Sequence, residues 1–174
     1  MINSEHSISV RSVAVRDSEF LAKVCESNIP LYDSIMPGAF KKQADKYRVK
    51  GVNTGYSISI IEKDNVSVGF TGTLELNGES MYLVAIYLLS EYQRLGLGHV
   101  VLDQIENMCR AKSMKNIMLL VHKEAHWAIN FYIKNGYEIS AKTEKEIKEY
   151  DSNILEKLYI GNTYLMTKTL NGTC

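Results

Sequence analysis

One stretch constrains this chain more than any other: Ile86 to His99, reading IYLLSEYQRLGLGH. An apolar run of strand character ends in it, a short turn follows, and a loop carrying Gly96 and Gly98 opens a helix. Glycine has no Cβ, so the backbone there can turn sharply and let a ligand come close. The first N–H groups of the helix lack intrahelical partners, and the positive end of its dipole points into the loop. Such a terminus holds a phosphate or pyrophosphate without any side chain. The loop is not a P-loop, since no Gly-Lys-Ser/Thr follows. It is not a dinucleotide fingerprint either, because Val101 stands where a third glycine belongs.

Composition sets the bounds. A chain of 174 residues can bury a real core as one domain, and residues 1–174 read as a single domain. Lys+Arg and Asp+Glu are balanced at 20 each, which argues against nucleic acid or an anionic membrane as the main partner. The three cysteines, Cys25, Cys109 and Cys174, are an odd number without metal-ligand spacing, so no metal site is expected. Cys25 and Cys109 read as buried thiols in a reducing compartment, Cys174 as a tail residue. MINSEHSISV lacks the basic region and apolar run of a signal peptide. The longest apolar run, Tyr82 to Leu89, is too short to span a bilayer, so a cytoplasmic protein is expected.

Taken in order, Ile8, Val10, Val13 and Val15 suggest a first strand, broken near Arg11-Ser12. Asp17 is placed to cap a helix whose apolar stripe is Phe20, Leu21, Val24 and Cys25, and Pro30 interrupts that helix. A second helix is expected from Pro37 at its first position to about Val49, before Gly51. Tyr56–Ile61, Val66–Leu76 and Ser80–Leu89 read as an antiparallel meander, turned at Asp64-Asn65 and most clearly at Asn77-Gly78. A helix from Gly98 to Lys112 then leads to the short apolar strand Asn116–Val121, which makes a parallel crossover pair with the strand before the loop. Glu124–Asn135 is a helix with Ala125, Ala128, Ile129, Tyr132 and Ile133 inward, stopped by Gly136. Tyr137–Ala141 is a strand, the charged run Lys142–Asp151 a loop or solvated face, and Leu158–Leu170 a last strand bent at Gly161-Asn162.

Gln93-Arg94-Leu95-Gly96-Leu97-Gly98 resembles the Gln/Arg-x-x-Gly-x-Gly/Ala loop with which the GCN5-related N-acetyltransferase (GNAT) superfamily holds the pyrophosphate of acetyl-CoA. Downstream, Ala128-Ile129-Asn130-Phe131-Tyr132-Ile133-Lys134-Asn135-Gly136-Tyr137 resembles that superfamily's Asn-x-x-Ala-x-x-x-Tyr-x-x-x-Gly-Phe/Tyr pattern. Ala125 stands where its first asparagine belongs, so a hydrogen bond to the pantetheine arm is lost or moves to His126 or Asn130. The resemblance implies an α+β fold, a mixed central sheet of about seven strands with about four helices. It also implies acetyl-CoA as cosubstrate.

Within the superfamily the chain looks most like the catalytic subunits of protein N-terminal acetyltransferases. Ile29-Pro30-Leu31 with Tyr32, Met81-Tyr82, and the Tyr164-Leu165-Met166-x-Lys168 run carry that likeness. Pro30, Leu31, Tyr32 and Val84 then line an acceptor slot for a peptide N-terminus. The tyrosine pair of that group is replaced here by Glu146-Ile147, with Tyr150 nearby. The resemblance leaves room for an auxiliary subunit or the ribosome as a partner.

The same resemblance assigns roles. Ile86, Tyr87 and Leu88 offer backbone groups to the pantetheine, and the N–H near Leu88 faces the thioester oxygen. Gln93 to His99, by way of Arg94, Leu95, Gly96, Leu97 and Gly98, take the phosphates, with Asn130 and Lys134 as further cofactor contacts. Tyr132 matches the tyrosine that protonates the leaving thiolate. No carboxylate lies between Met81 and Leu89, so Tyr82 is the candidate base. His122 lies two residues beyond the position where a close group of relatives carries a histidine, and residues two apart share a strand face. A weak Tyr/His base suits an α-amine of pKa about 7.7–8.0 better than a lysine or polyamine near 10.4. A polyamine acceptor instead requires converging carboxylates, with Glu75, Glu79, Glu124 and the 144–151 run as candidates. Binding of acetyl-CoA without turnover, as a regulatory module, is the non-enzymatic alternative.

Overall fold

A computed structural model describes residues 7–170. The elements in chain order are β1 (Ile8–Ser12), a 3₁₀ turn (Val15–Asp17), α1 (Ser18–Ser27), α2 (Ile29–Tyr32), α3 (Ala39–Lys50), β2 (Ser57–Lys63), β3 (Val66–Glu75) and β4 (Ser80–Leu88). A 3₁₀ turn (Ser90–Tyr92) leads to α4 (Leu97–Ala111), β5 (Asn116–His122), α5 (His126–Lys134), β6 (Glu138–Ala141), α6 (Glu144–Glu149), a 3₁₀ turn (Glu156–Leu158) and β7 (Thr163–Thr169). The strands form one seven-stranded sheet in the order β1-β2-β3-β4-β5-β7-β6. The α+β class and the seven strands match the expectation. The described residues hold more than the four helices expected, because α2 and α6 form where the sequence suggested an interruption and a loop. The chain gathers into two compact units. One runs to Thr73 and resumes over Ala85–Ile105; the other comprises Leu74–Val84 and the chain from Glu106 on. Cys174 lies outside the described residues.

In the first unit β1 pairs antiparallel with β2, and β2 antiparallel with β3. Asp64 and Asn65 join β2 to β3 with left-handed φ of 51° and 65°, the type I′ geometry that suits the strand twist. Asn77-Gly78 builds a looser connection: only Gly78 is left-handed, and Asn77 Oδ1 accepts from the Glu79 N–H. The better I′ hairpin is therefore the one without a glycine. Leu21, Val24 and Cys25 of α1, Phe40, Ala44 and Tyr47 of α3, and Ile58, Ile60 and Phe70 of the sheet form the core. Burial pushes the Cys25 thiol up to about 12, as for an inert core cysteine.

Several local expectations change here. Val15 is 80% exposed, in the 3₁₀ turn, so the first strand stops at Ser12. Asp17 stands at the N-cap of α1, but its carboxylate takes two bonds from Arg11 (2.8 and 2.9 Å) and one from the Ala14 N–H (2.7 Å). Those bonds hold it well below the usual carboxylate range. Pro30 does not merely stop α1; it sits in the first turn of α2, where its missing N–H costs nothing. Pro37 lies outside α3, which is preceded by a left-handed Gly38.

In the second unit β4 runs parallel to β5, and register pairs extend from Ser80↔Asn116 only to Tyr82↔Met118. β5 pairs antiparallel with β7 along its whole length, from Asn116↔Thr169 to His122↔Thr163. Tyr82, Met118, Ala141, Ile147, Leu155 and Leu165 form the core. Ile147 is fully buried because the charged run is a helix: Thr143 Oγ1 accepts from the Glu146 N–H, while Glu146 accepts from the N–H groups of Lys142 and Thr143. On α5, Ile129 is buried, but Ile133 is 50% exposed and not part of the inner face. Burial raises the Cys109 thiol to about 11.

Gly69 fixes how closely β3 approaches the end of β4. A Cβ there would lie 2.3 Å from the Tyr87 carbonyl oxygen and 3.0 Å from Leu88 Cα, and backbone cannot yield as a flexible side chain can. Gly69→Ala is therefore expected to cost about 1–3 kcal/mol, the range for overpacking a close-packed site. Urea denaturation checks this: the midpoint should fall with the slope unchanged.

Candidate active site

The loop that opened the sequence reading is built as a backbone device. Arg94 has φ 59° and Gly96 φ 79°, both left-handed, so the chain reverses hand twice before α4 begins. Such alternation turns successive N–H groups inward as an anion-binding concavity. A side chain on Gly96 would touch nothing within 4 Å, so glycine is needed there for its φ, not for space. Gly98 differs: it lies inside the first turn of α4, where a missing side chain matters only for close approach. The first turn of this 15-residue helix begins at Leu97, and first-turn N–H groups have no partner within their own helix. Arg94 and His99 are exposed, His99 Nε2 standing 3.5 Å from Asp103 Oδ2. Leu95 is 59% exposed, whereas Leu97 is buried as the anchor of the helix start. A pyrophosphate fits these groups: left-handed residues, a helix terminus and a basic side chain meet in one short loop.

Gln93 is used differently from the sequence expectation. Its side chain turns inward, donating from Nε2 to Asn28 Oδ1 (2.9 Å) and to the Leu88 carbonyl (3.1 Å). Asn28, only 2% exposed, donates to the carbonyls of Val24 (2.8 Å) and Leu88 (2.9 Å). The Gln93 amide thus holds the loop to the protein, leaving its backbone for a ligand. Asn28 went unnoticed in the sequence; its only signal was a polar residue closing an apolar helical stripe, just before Ile29-Pro30.

On α2, Pro30 is exposed, while Leu31 and Tyr32 are half-buried. The Tyr32 ring stacks on Phe40 at 4.3 Å between centroids and meets Tyr87 edge-on at 6.2 Å. Tyr87 also packs edge-on against Phe40 (5.1 Å) and Phe70 (5.7 Å). The ring of Tyr87 thus ties β4 to α2, a role beyond the backbone one expected of it. Ile86 is half-buried and Leu88 buried on the same strand.

The second unit carries the candidate acid–base groups. Tyr82 is 6% exposed within the core cluster, against which Val84, Leu120, Tyr150 and Tyr159 also pack. Burial pushes its phenol up to about 12, and a backbone hydrogen bond from Leu120 brings it only part of the way back. That bond lies just past Met118, the last β5 residue in register with β4. Tyr159 was not picked out in the sequence, where it falls within the expected last strand from Leu158; in the structure that strand begins only at Thr163.

His122 ends β5 and is buried at 7%, so it is no exposed strand-end residue. Its Nδ1 accepts from the Glu124 N–H at 3.2 Å. The neutral ring then carries its proton on Nε2 and presents a donor there. Tyr132 is half-buried on α5, with its ring 5.1 Å from Phe131 and 5.5 Å from Tyr137. Asn130 and Lys134 are exposed on the same helix. Among the described residues no group of three or more His, Cys, Asp or Glu is placed to hold a metal ion. No helix there is long and apolar enough to cross a membrane.

Residues 25–137 match the model of the Acetyltransferase (GNAT) family, and the chain belongs to that family. Its sequence is 33% identical over 85 residues to N-alpha-acetyltransferase 50 of Danio rerio, covering 47% of this chain and 51% of that one. It is 30% identical over 120 residues to the probable N-acetyltransferase san of Drosophila melanogaster, covering 65% of each. A spermidine N(1)-acetyltransferase of Thermoplasma acidophilum is 27% identical over 96 residues, 55% of each chain. The chain thus spans about half to just under two thirds of the length of these relatives. Among solved structures, the PaiA N-acetyltransferase of Thermoplasma acidophilum in complex with coenzyme A superposes with TM-score 0.66 at 20% identity, over 94% of this chain and 99% of that one. The spermidine N-acetyltransferase of Vibrio cholerae gives 0.65 at 16% identity, over 94% and 95%. At these identities the likeness is one of fold.

Gly98→Glu places a carboxylate at the mouth of the loop, where the backbone amides and the helix dipole are to meet a pyrophosphate. Acetyl-CoA binding by calorimetry should become undetectable while the far-ultraviolet spectrum stays that of the folded protein. Unchanged affinity would reject the loop as the cofactor site.

Proposed function

We propose that residues 1–174 act as one acetyl-CoA-dependent N-acetyltransferase domain whose acceptor is the α-amino group of a peptide or protein N-terminus. The relatives named N-alpha-acetyltransferase 50 and san support a peptide acceptor; the spermidine enzyme supports a polyamine. The observation that favours the peptide is the state of four of the carboxylates a polyamine requires, Glu124, Glu149 and Asp151 aside. Glu75 is bound to Lys112, Glu79 to Lys115 (2.6 Å), and Glu144 to Lys148. Glu146 is engaged by the backbone N–H groups of Lys142 and Thr143. The acceptor-side segment Ile29–Tyr32 is apolar and packed on aromatic rings. A polycation finds little to neutralise it there, whereas a peptide terminus carries one amine and an apolar first side chain.

Acetyl-CoA supplies the acetyl thioester; the chain supplies position and proton movement. The loop amides and Arg94 hold the phosphates, and the β4 backbone at Ile86–Leu88 orients the arm and offers an N–H to the thioester oxygen. Tyr132 donates a proton to the departing sulfur. A phenol titrating near 12 is ionised in only about one molecule in 10⁵ at neutral pH. Tyr82 therefore acts through its hydroxyl, taking the amine proton as it passes its own to water, with the Nε2–H of His122 fixing that water. Attack is direct, with no acyl-enzyme, since no cysteine lies in either motif.

A panel of unblocked peptides and polyamines, with products located by mass spectrometry, tests the acceptor. Acetate on the α-amine supports the reading; acetate only on lysine side chains or polyamines overturns it. Tight acetyl-CoA binding with no product from any acceptor would favour the regulatory module.

The pH profile discriminates as well. With an α-amine acceptor, kcat/KM should rise along one limb with its break near pH 8, where half of the amine is neutral, and be level about one pH unit higher. A rise continuing to about pH 10.4 would mean a lysine or polyamine. Tyr82→Phe and Tyr132→Phe should each lower kcat by about 10²–10⁴ with little change in acetyl-CoA affinity. If both turn over normally, or an acetylated enzyme accumulates without acceptor, the mechanism fails. His122→Ala separates its two versions: a large loss of rate keeps the histidine, and near-normal activity leaves Tyr82 and water alone.

A further inference from the structure

The first unit contains a hydrogen-bond path that the proposed chemistry does not use. It starts in the pyrophosphate loop at Gln93, whose Nε2 reaches Asn28 Oδ1 at 2.9 Å. It passes through the buried Asn28 amide, whose two donors are spent on Val24 O and Leu88 O. It ends in α2, because the Asn28 carbonyl accepts from the N–H groups of Leu31 (3.1 Å) and Tyr32 (3.2 Å), and Ile29 O accepts from the Asp33 N–H (2.8 Å). A second strut runs beside it: the Ser90 N–H, two residues past Leu88, donates to Ser27 Oγ at 2.6 Å. Cofactor loop and acceptor-side turn therefore meet in one buried residue: Asn28 holds Gln93 through its side-chain amide and the turn through its main-chain carbonyl.

We propose that Asn28 is a positioning residue, coupling occupancy of the pyrophosphate loop by acetyl-CoA to the order of the acceptor-side turn Ile29–Tyr32 through Gln93. The proposal rests on the reading of these two segments as cofactor loop and acceptor slot. The physical argument is satisfaction. A buried primary amide has two donors and an acceptor oxygen to satisfy, and leaving one unmade costs far more than a formed bond contributes. The Asn28 amide can be complete only while Gln93 is held in place, and Gln93 is the first residue of the loop that closes on phosphate. α2 is a single turn of four residues, too short to be stable alone, so its order depends on what anchors its first carbonyls. Loop and turn thus order together: a ligand that stills the loop fixes Gln93, then Asn28, then the amides of residues 31–33. Binding that orders a shared segment lowers the cost for the next ligand without a change of shape.

Hydrogen exchange read by mass spectrometry, with coenzyme A alone as the probe and no acceptor, tests this. In the unmodified chain, coenzyme A should slow exchange both in the loop, residues 94–100, and in the turn, residues 31–33, the latter at least several-fold. Gln93→Leu removes the donor to Asn28 but keeps the backbone donors of the loop. In that variant the loop should still be protected, with weaker binding offset by saturating coenzyme A, while protection of 31–33 disappears. A protein in which Gln93 merely props up the fold would exchange faster at 31–33 with and without ligand, leaving the ligand-induced ratio intact. That result, or no protection of 31–33 in the unmodified chain, overturns the proposal. Absence of protection in the loop itself would overturn the cofactor site, and the coupling with it, and so marks that failure separately. Asn28→Leu, provided it folds, should behave as Gln93→Leu does; retained coupling in that variant also overturns the proposal.

Discussion

The carbonyl of Leu88 is where the first unit is decided. A strand that leaves its sheet must find partners for its last polar groups, because a buried backbone acceptor left unpaired costs as much as a lost hydrogen bond. Leu88 O receives two amide donors, from Asn28 and Gln93, which fill both lone pairs. These two bonds fix three things together: where α1 ends, where the 93–98 loop begins, and how β4 terminates. On the other side of the same strand, Gly69 lets β3 come so close that its position is set by backbone alone. The Leu89 N–H then closes the account with Val68 O at 2.9 Å. The end of β4 is thus held on both sides, by the amides of Asn28 and Gln93 and by the close backbone of β3.

The second unit uses charge for the same end. Glu106 is 2% exposed and both its oxygens bind Lys168, at 2.9 and 2.7 Å, with Arg110 a further donor at 3.3 Å. Lys168 also donates to the Asn135 carbonyl, at the C-terminal end of α5, and lies over the Tyr137 ring at 5.6 Å. Removing one partner of such a pair leaves a buried charge, at a cost of about 3–5 kcal/mol, although the pair contributes little against an apolar replacement. Its value here is geometric. It pins the residues just after Tyr132, whose ring is caught between Phe131 and Tyr137, so the phenol is aimed by packing.

Legibility in the sequence followed the type of signal. The loop was readable because its chemistry is local: two glycines, a preceding strand and a following helix lie in one short window. The parallel partnership of β4 and β5 was readable from strand–helix–strand order, and the strands from their apolar runs and the turns between them. What failed was local too, but conditional on partners far away. Asp17 is an excellent cap by residue type, yet Arg11 claims its carboxylate. The 144–149 helix was hidden because its one buried residue, Ile147, sits in a run of charge, and only the Thr143/Glu146 pair marked its start. Asn77-Gly78 looked the better hairpin by composition, whereas Asp64-Asn65 tolerates left-handed φ at both positions. Phe40 and Tyr159 could not be singled out, and Asn28 only faintly, since their importance lies in what they touch.

The same distinction explains why the two halves of the chemistry are unequally specified. Anchoring a pyrophosphate needs backbone donors, which any sequence able to form the loop supplies, so the cofactor side is written in a motif. Taking a proton from the acceptor needs a side chain whose acidity is set by its surroundings. Tyr82 shows the difficulty: by residue type it is a candidate base, but burial raises its phenol to about 12, so at neutral pH it is a hydroxyl that can only relay a proton. Such a group suits an amine that loses its proton readily, as the proposed α-amine acceptor does. An α-amine at about 7.7–8.0 is neutral in roughly a quarter of molecules near physiological pH, whereas an alkylammonium near 10.4 is neutral in only about one in 10³. The carboxylates Glu75, Glu79 and Glu144 are each bound to a lysine, and the one histidine at the end of β5 already uses its Nδ1 lone pair on a backbone N–H. With the proposed α-amine acceptor, proton loss draws on the amine's own acidity with Tyr82 as relay, and the protein's work is to hold the two reactants still.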